Sequence, residues 1–486
     1  MMHMWRDYNP GEFHDELMAG PYQPRHFSYR LLDYLQSMRR EAFEQRVADS
    51  ELEMLERGIT FTVYSDAGNI DRAWPFDIIP RMIAKREWDC TEKGLIQRVR
   101  ALNQFINDIY NEGQIIKDGL IPADVVYQSK GYRPQCRGMQ PAFGVWAHIC
   151  GSDLVRDHNG TLYVLEDNLR VPSGVAYMLE NRKTTKRILP ELFKLLSISP
   201  VNDYPTHLAS MLASLRPELS QPTMALLTPG IYNSAYYEHA SLAQQAGLIL
   251  LEGADLLVGQ DGYVYMKTIH GLERVDVIYR RIDDDFIDPL VFREDSVLGI
   301  PGIMQSWRDG KIAIANAPGC GVADDKVIYA YVPEMIRYYL NEEPLLPNVP
   351  TWLCRDPDQL AHVLDNLPDL VVKPANESGG YGMLVGPHSS EAKIEEFRKL
   401  LQEDPDNYIA QPTLKLSVSP TIAGDHVAPR HVDLRPFILS GRDHYVTPGG
   451  LTRVALVEGS LVVNSSQGGG SKDTWVVDEN GSGVSL

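Results

Sequence analysis

Gly151-Ser-Asp-Leu-Val-Arg-Asp-His-Asn-Gly-Thr-Leu-Tyr-Val-Leu-Glu-Asp-Asn168 consists of two apolar runs that meet at Asn159-Gly160. Asn-Gly in that setting signals a hairpin, because a two-residue type I′ turn needs positive φ at both central positions. With that turn His158 pairs with Thr161, paired residue numbers sum to 319, and Asp153 falls opposite Glu166. With a four-residue loop, Asp157 to Gly160, the sum is 317, Asp153 faces Val164, and Glu166 lies diagonal to it. Both sums are odd, so the two carboxylates share a face in either register. Asn168, two residues beyond Glu166, joins them there. Two carboxylates and an amide oxygen on one strand face make a hard-oxygen set suited to Mg²⁺, which completes its octahedron with water and phosphate oxygens. The competing reading is a solvated polar face on an edge hairpin. Asp167 points the other way and reads as structural.

A second segment, Leu370-Val-Val-Lys-Pro-Ala-Asn-Glu-Ser-Gly-Gly-Tyr-Gly-Met-Leu-Val385, reads as strand, flexible loop and strand. Lys373 at the strand end followed by Gly379, Gly380 and Gly382 suits a phosphate clamp: the ammonium supplies point charge, and glycines let backbone N–H groups come close to oxygens. It is not a Walker A loop, since no G-x-x-x-x-G-K-[ST] occurs and an apolar strand-like run follows. An ordinary glycine turn is the competing reading. Gly319-Cys-Gly-Val-Ala-Asp324 lacks the third glycine of a dinucleotide fingerprint. Gln467-Gly-Gly-Gly-Ser-Lys472 has the wrong spacing for a P-loop, although its glycines leave room for a ligand.

The rest of the chain bounds these readings. It has 486 residues, 46 Lys plus Arg against 65 Asp plus Glu, a formal net charge of −19 and 44% hydrophobic residues. At that length two to four domains are expected, since single cores stop growing at roughly 250–300 residues. The charge argues against a general basic surface for nucleic acid or an anionic membrane, while a local phosphate pocket remains compatible with it. No run of about 18 apolar residues appears, and the acidic start, Met1 to Glu16, does not read as a signal peptide. Cys90, Cys136, Cys150, Cys320 and Cys354 form no C-x-x-C pair, so neither a disulfide framework nor a zinc ribbon is indicated. The reducing cytoplasm is the expected compartment.

Pro24 to about Asn111 reads as mostly helical, with a helix from Thr91 that carries Leu95, Val99, Leu102, Phe105, Ile106 and Ile109 at helical spacing. Strands alternating with helices between about 197 and 300 suggest an open α/β unit. Arg280-Arg281 and Asp283-Asp-Asp285 lie at a strand end of that unit, where such sheets bind ligands; a solvated charge run is the commoner outcome for such clusters.

Taken together the pieces resemble the ATP-grasp superfamily. Asp153 with Glu166 and Asn168 looks like its metal strands, and Lys326 and Lys373 look like its paired ATP lysines. Glu377 to Gly382 looks like the glycine-rich flap, Tyr408-Ile-Ala-Gln-Pro412 like the adenine hinge, and Arg435 like the arginine near the γ-phosphate. Asn464-Ser-Ser-Gln-Gly-Gly469 looks like the segment before the metal strands. Here the metal hairpin precedes the lysines, a circular permutation that is most similar to the circularly permuted ATP-grasp type 2 group, often labelled glutathionylspermidine synthase-like. Trp74 to Pro80, Gly94 to Asn103 and Leu165 to Gly174 match that group's look, and the resemblance spans nearly the whole chain.

The resemblance implies an α+β and α/β fold. Its parts would be a mainly helical region at 1–130, a metal-binding part at 131–196, a middle α/β substrate-side unit at 197–310, a lysine and glycine-loop lobe at 311–479, and a mobile tail at 480–486. It implies ATP and Mg²⁺ as cofactors, with Asp153, Glu166, Asn168 and Glu377 on the metal. Lys326, Lys373, Gly379, Gly380, Gly382 and Gln411 would bind the nucleotide, and Arg435, Arg453 and Arg170 would serve catalysis. The implied activity is ligation of a small-molecule or peptide carboxylate to an amine through an acyl phosphate, with no nucleic-acid or membrane partner. Phosphoryl transfer without ligation, and a nucleotide-binding scaffold without turnover, share every motif. One departure stands out: glutathionylspermidine synthetase has an arginine two residues before the metal aspartate, and this chain has Gly151. Arg156, Arg170 and Arg453 are the alternatives. The amidase domain that some of those enzymes carry is absent.

Overall fold

The computed structural model describes residues 4, 5, 7–63, 70–375, 382–460, 463 and 469–478. Its centre is a nine-stranded sheet built from β1 (Phe76–Ala84), β2 (Ile149–Arg156), β3 (Leu162–Asn168), β4 (Val418–Ala423), β5 (His426–Arg435), β6 (Phe437–Ser440), β7 (His444–Val446), β8 (Leu451–Val454) and β9 (Gly470–Val477). The order is β7-β6-β2-β5-β8-β9-β1, with β3 on β2 and β4 on β5. Only the β9–β1 pair is parallel. The sheet therefore joins segments from both ends of the chain around the hairpin.

β1 differs from the helical expectation for the first hundred residues. Phe76–Ala84 is mostly apolar, interrupted by Asp77 and Arg81, and buried almost throughout, and such a run cannot be told from a buried helix by periodicity. Pairing with the distant β9 decides it, and Lys472 of β9 seals the contact with a 2.7 Å ion pair to Asp77. Lys472 is fully buried and donates also to Ile79 and Pro420 carbonyls, so the Gly-Ser-Lys segment is structural at its lysine. The following helix, Lys85–Tyr110, starts six residues before Thr91. Thr91 Oγ1 hydrogen-bonds the Glu87 carbonyl, 3.1 Å, so it sits one turn inside the helix rather than capping it.

The middle unit is a parallel four-stranded sheet in the order Ala313–Ala315, Val277–Arg280, Met224–Leu227, Ile249–Leu251. Helices Tyr204–Ser214 and Tyr236–Ala246 alternate with its strands, and an antiparallel meander covers Leu256–Val275. A smaller antiparallel sheet orders Trp352–Leu353, Tyr408–Pro412, Leu370–Pro374 and Leu384–Val385. Helices Pro357–Asn366 and Glu391–Glu403 close its core through Val363, Phe397 and Leu401, with Leu367 just past the first of them. The expected tail at 480–486 lies outside the described residues.

The middle unit is fastened to the central sheet by Asn316. Its Oδ1 accepts from the His148 and Ile149 N–H groups, both at 2.7 Å, and its Nδ2 donates to the Ile149 and Leu169 carbonyls at 2.6 and 2.5 Å. Arg280 and Arg281 extend this seam. Both are buried, which corrects the solvated-run reading: Arg280 pairs with Asp284 at 2.6 Å and donates to the Asn316 carbonyl at 2.6 Å. Arg281 donates to the Pro172 carbonyl and pairs with Glu238. Glu238 in turn accepts from the Gly174 and Ala176 N–H groups. The crevice at the carboxyl ends of the parallel strands is thus occupied by the chain's own loop 170–176.

Burial, reinforced by the Arg281 charge, pushes the His239 imidazole down to about 2, and burial pushes His148 down to about 3. Both stay neutral in the fold while the unfolded chain takes up protons near pH 6.5, so their contribution is complete above that pH and is lost as pH falls toward the folded values. We expect His239→Gln to lose roughly 2 kcal/mol less stability than the parent between pH 6.5 and 5, read from urea midpoints, since one histidine contributes about 1.4 kcal/mol per pH unit.

Candidate functional site

The hairpin closes with neither expected turn. Asp157 N–H donates to the Thr161 carbonyl at 3.0 Å around a three-residue loop, and only Gly160 has positive φ, +88°. Asp157 Oδ1 fixes that loop by accepting from the Asn159 and Thr161 N–H groups. Pairs near the turn, such as Leu154 with Val164 and Arg156 with Leu162, sum to 318. An unbroken even register would put Asp153 and Glu166 on opposite faces. A bulge at Leu165 shifts the ladder by one, and beyond it Asp153 faces Glu166 and Gly151 faces Asn168. The carboxylates share a face because an extra residue resets the parity.

Asp153 is buried and held by guanidinium groups. Arg435 binds it through Nε at 2.5 Å and Nη2 at 2.7 Å, and Arg453 Nη2 donates at 2.7 Å. Arg453 also chelates Asp433 directly across the β5–β8 ladder. Burial opposes the Asp153 anion, but the two arginines outweigh it and hold the carboxyl well below its usual range. A side chain at Gly151 would meet Arg435 Cδ and Pro172 Cβ, each 3.3 Å from its Cβ. The glycine therefore makes room for Arg435 to lie over the hairpin.

Glu166 and Asn168 face a cavity of about 260 Å³, which Lys326 and Ala375 line with them. Burial and then the Asp153 charge raise the Glu166 pKa, while Lys326, Lys373 and Arg435 pull it down. Lys373 is held by Gln411 Oε1 at 2.8 Å, and Gln411 Nε2 donates to Thr351. Burial, with a smaller contribution from the nearby Lys326 charge, pushes Lys373 down to about 8. Lys326 opens the helix Lys326–Ala330, capped by Asp325, and its N–H bonds the Ala375 carbonyl at 3.3 Å. Gly382 has φ +68°. Glu377, Gly379 and Gly380 lie outside the described residues, as does 464–468 in the segment that ends at Gly469.

Ser129, Lys130, Arg133, Arg170 and Asp324 are among the other residues of the cavity wall, which also includes Asp284 and Asp325. Of these only Arg170 is among the expected site residues. Asp324 accepts from the Leu169 and Arg170 N–H groups, and burial raises its carboxyl to about 7. Its neighbour Asp325, preceding a short apolar run, carried a helix N-cap signal; Ser129 and Arg133 carried none. Asp167 faces away, in a buried 2.7 Å ion pair with Arg98. A larger hollow of about 700 Å³, beside Asn107, Gln140 and Tyr339, contains none of the expected residues.

The family model described as circularly permuted ATP-grasp type 2 matches residues 80–455. The chain belongs to that family. An uncharacterized protein of Synechocystis sp. is 56% identical over 97% of this chain and 98% of its own length. A Frankia casuarinae protein named "Putative glutamate--cysteine ligase 2-2" is 44% identical over 89% of this chain and 50% of its own. Among solved structures, a glutathione synthetase-like effector of Globodera pallida in its apo form superposes with a TM-score of 0.60. The match covers 90% of this chain and 98% of the effector at 13% identity, and it shows the shared fold. Among the described residues no helix is long and apolar enough to cross a membrane.

For this ATP-grasp chain, fitness for a metal can be judged from the donor set. A carboxylate offers about four lone-pair positions. Arginines take three of those of Asp153, which leaves one on Oδ1. No described residue donates a hydrogen bond to Glu166, and the Asn168 amide uses Nδ2 on the Gly151 carbonyl, while its oxygen accepts from no described residue. Two clustered acids and an amide oxygen match a small hard cation, and two adjacent lysines match the phosphates such a cation accompanies. Arg453 is committed to Asp153 and Asp433, whereas Arg170 is half exposed. Removing one member of a buried ion network strands a charge, at a cost of roughly 3–5 kcal/mol, and exposed pairs contribute under about 1 kcal/mol. We therefore expect Arg453→Met to lower the urea midpoint sharply and Arg170→Gln to leave it nearly unchanged.

Proposed function

We propose that this protein is an ATP- and Mg²⁺-dependent ligase that joins a carboxylate to an amine. The observation that carries the reading is the convergence, from segments up to about 200 residues apart in sequence, of Glu166, Asn168 and Lys326 on one cavity, with the Lys373 charge felt at Glu166. Glu166, Asn168 and the remaining lone pair of Asp153 would hold the metal ion. Lys326 and Lys373 would neutralise phosphate charge, and Gln411 keeps the Lys373 ammonium aimed at the Glu166 side. Mg-ATP would supply the γ-phosphoryl group.

Arg435 makes three hydrogen bonds to Asp153 and the Ser173 carbonyl, which leaves two of its five donors for the transferring group. A substrate carboxylate oxygen bonds the γ-phosphorus as the bond to ADP breaks. The amine nitrogen then attacks the acyl carbon, the C–N bond forms, phosphate leaves with the acyl oxygen, and the nitrogen loses its proton. Positioning and electrostatics account for the catalysis, with no covalent intermediate on the protein. The name of the Frankia relative, "Putative glutamate--cysteine ligase 2-2", a protein of which this chain spans 50%, supports ligation over phosphoryl transfer alone.

The test is incubation with Mg-ATP and pools of amino acids, glutathione, short peptides and polyamines. Phosphate release together with a product one water lighter than two substrates is the expected result. Absence of Mg-ATP binding at millimolar concentration would sink the reading. Lys373→Met should weaken nucleotide binding about tenfold or more, the equivalent of one charge-assisted contact. Unchanged turnover in Glu166→Ala would remove that residue from the metal site.

A further inference from the structure

Arginines around the cavity divide into two kinds. Arg98, Arg280, Arg281, Arg435 and Arg453 each direct at least two guanidinium hydrogen bonds at described residues. Arg170 directs none. It stands 3.3 Å from Asp283 and 3.7 Å from Asp324 without hydrogen-bond geometry to either, and its side chain is 41% exposed. Its open fork lines the cavity that holds Glu166 and Lys326. Of the three arginines weighed as substrate contacts, Arg156 is buried against Glu16 and Glu87 and Arg453 against Asp153 and Asp433. Of the three, Arg170 is the one that lines the cavity, and it directs no guanidinium hydrogen bond at a described residue.

Its surroundings narrow the ligand. Arg133 and Lys130 line the same wall. Arg133 contacts Asp285 at 2.9 Å, and its buried Nε stands 3.5 Å from Asp284 without a hydrogen bond. Asp283 and Asp285, each about half exposed, are tied to Arg170 and Arg133 respectively. The wall is rigid: a Cβ on Gly131 would lie 2.3 Å from the Gly321 carbonyl oxygen, and one on Gly321 would lie 3.1 Å from Arg170 Cδ. Lys130, Arg133 and Arg170 stand among the acids Asp284, Asp324 and Asp325 of the same wall, with Asp283 and Asp285 beside it, so a polyamine would meet the cations and a plain diacid the acids. A zwitterion satisfies both.

Resting on the ligase reading, we propose that the stretch of cavity wall formed by Arg170 and Arg133 binds the ammonium and carboxylate of an amino dicarboxylic acid. Arg170, backed by Arg133, takes that carboxylate, and Asp283 and Asp285 take the ammonium. The second carboxylate of the same molecule extends to Lys326, where it is activated.

Calorimetric titration of the full chain, first saturated with the Mg²⁺ complex of the β,γ-imido analogue of ATP, tests this. The probes are aspartate, glutamate and 2-aminoadipate, their counterparts lacking the α-carboxylate (β-alanine, 4-aminobutyrate, 5-aminopentanoate), those lacking the amine (succinate, glutarate, adipate), and spermidine. One amino diacid should bind about tenfold or more tightly than both of its counterparts. Arg170→Gln should erase its advantage over the decarboxylated counterpart, Arg170→Lys should restore part of it, and nucleotide affinity should stay unchanged. Equal binding of an amino diacid and its decarboxylated counterpart overturns the proposal, as does unaltered discrimination in Arg170→Gln or preferential binding of spermidine. Nucleotide binding with no response to any amino diacid overturns this assignment alone; failure of the nucleotide analogue itself overturns the ligase reading and this one with it.

Discussion

Two buried carboxylates, Asp153 and Asp433, and two arginines, Arg435 and Arg453, sit where β2, β5 and β8 meet. A charge in that position without a partner costs several kcal/mol, so each strand must arrive in the register that brings its charge to the others. That requirement aligns Leu434 with Leu154 and Asp433 with Arg453. The pattern extends across the sheet: Arg81 of β1 donates to the Asp433 carbonyl and pairs with Glu16, which also pairs with Arg156 of β2. Such networks are weak sources of net stability. What this one does is fix the relative placement of strands drawn from residues 76 to 454, and the cavity inherits that placement.

The middle unit contributes to the same cavity without supplying its Glu166 end. Its parallel sheet has the crevice where open α/β units take ligands, yet Arg281 and Glu238 fill that crevice with loop 170–176. The loop carries Arg170 and the Ser173 carbonyl that accepts from Arg435. The ligand-binding end of one sheet has become the anchor for a loop of the other, and Asn316 makes the joint stiff with four buried hydrogen bonds.

Family and fold class were legible in the sequence because they rest on ordered local patterns: the hairpin, the lysine before a glycine loop, and alternating strands and helices in the middle. What escaped was decided by partners far along the chain. β1 is a mostly apolar run whose strand character comes from β9. Thr91 resembles a cap but lies within the helix, because residues 85–90 already bury Trp88. The Leu165 bulge is invisible to pattern reading, since it compensates a loop length that Asn-Gly alone does not reveal. Asp153 opposite Glu166 was reached through an odd register held along the whole hairpin, and the structure reaches it through an even register plus one bulged residue.

The net charge of −19 acquires a different meaning once charges are located. Acids near the site are of two kinds. Asp167, Asp284 and Asp433 are buried in ion pairs with Arg98, Arg280 and Arg453, so they contribute little field at the cavity. Glu166 has no hydrogen-bond donor among the described residues and carries a raised pKa in the presence of two lysines, a charge arrangement that a divalent cation together with polyphosphate would complete. Bulk charge sets the long-range potential, which salt screens beyond about 10 Å. Inside the cavity the decisive quantity is which charged groups line it, and there the acidic protein presents Lys326 and the half-exposed Arg170 to an anionic ligand.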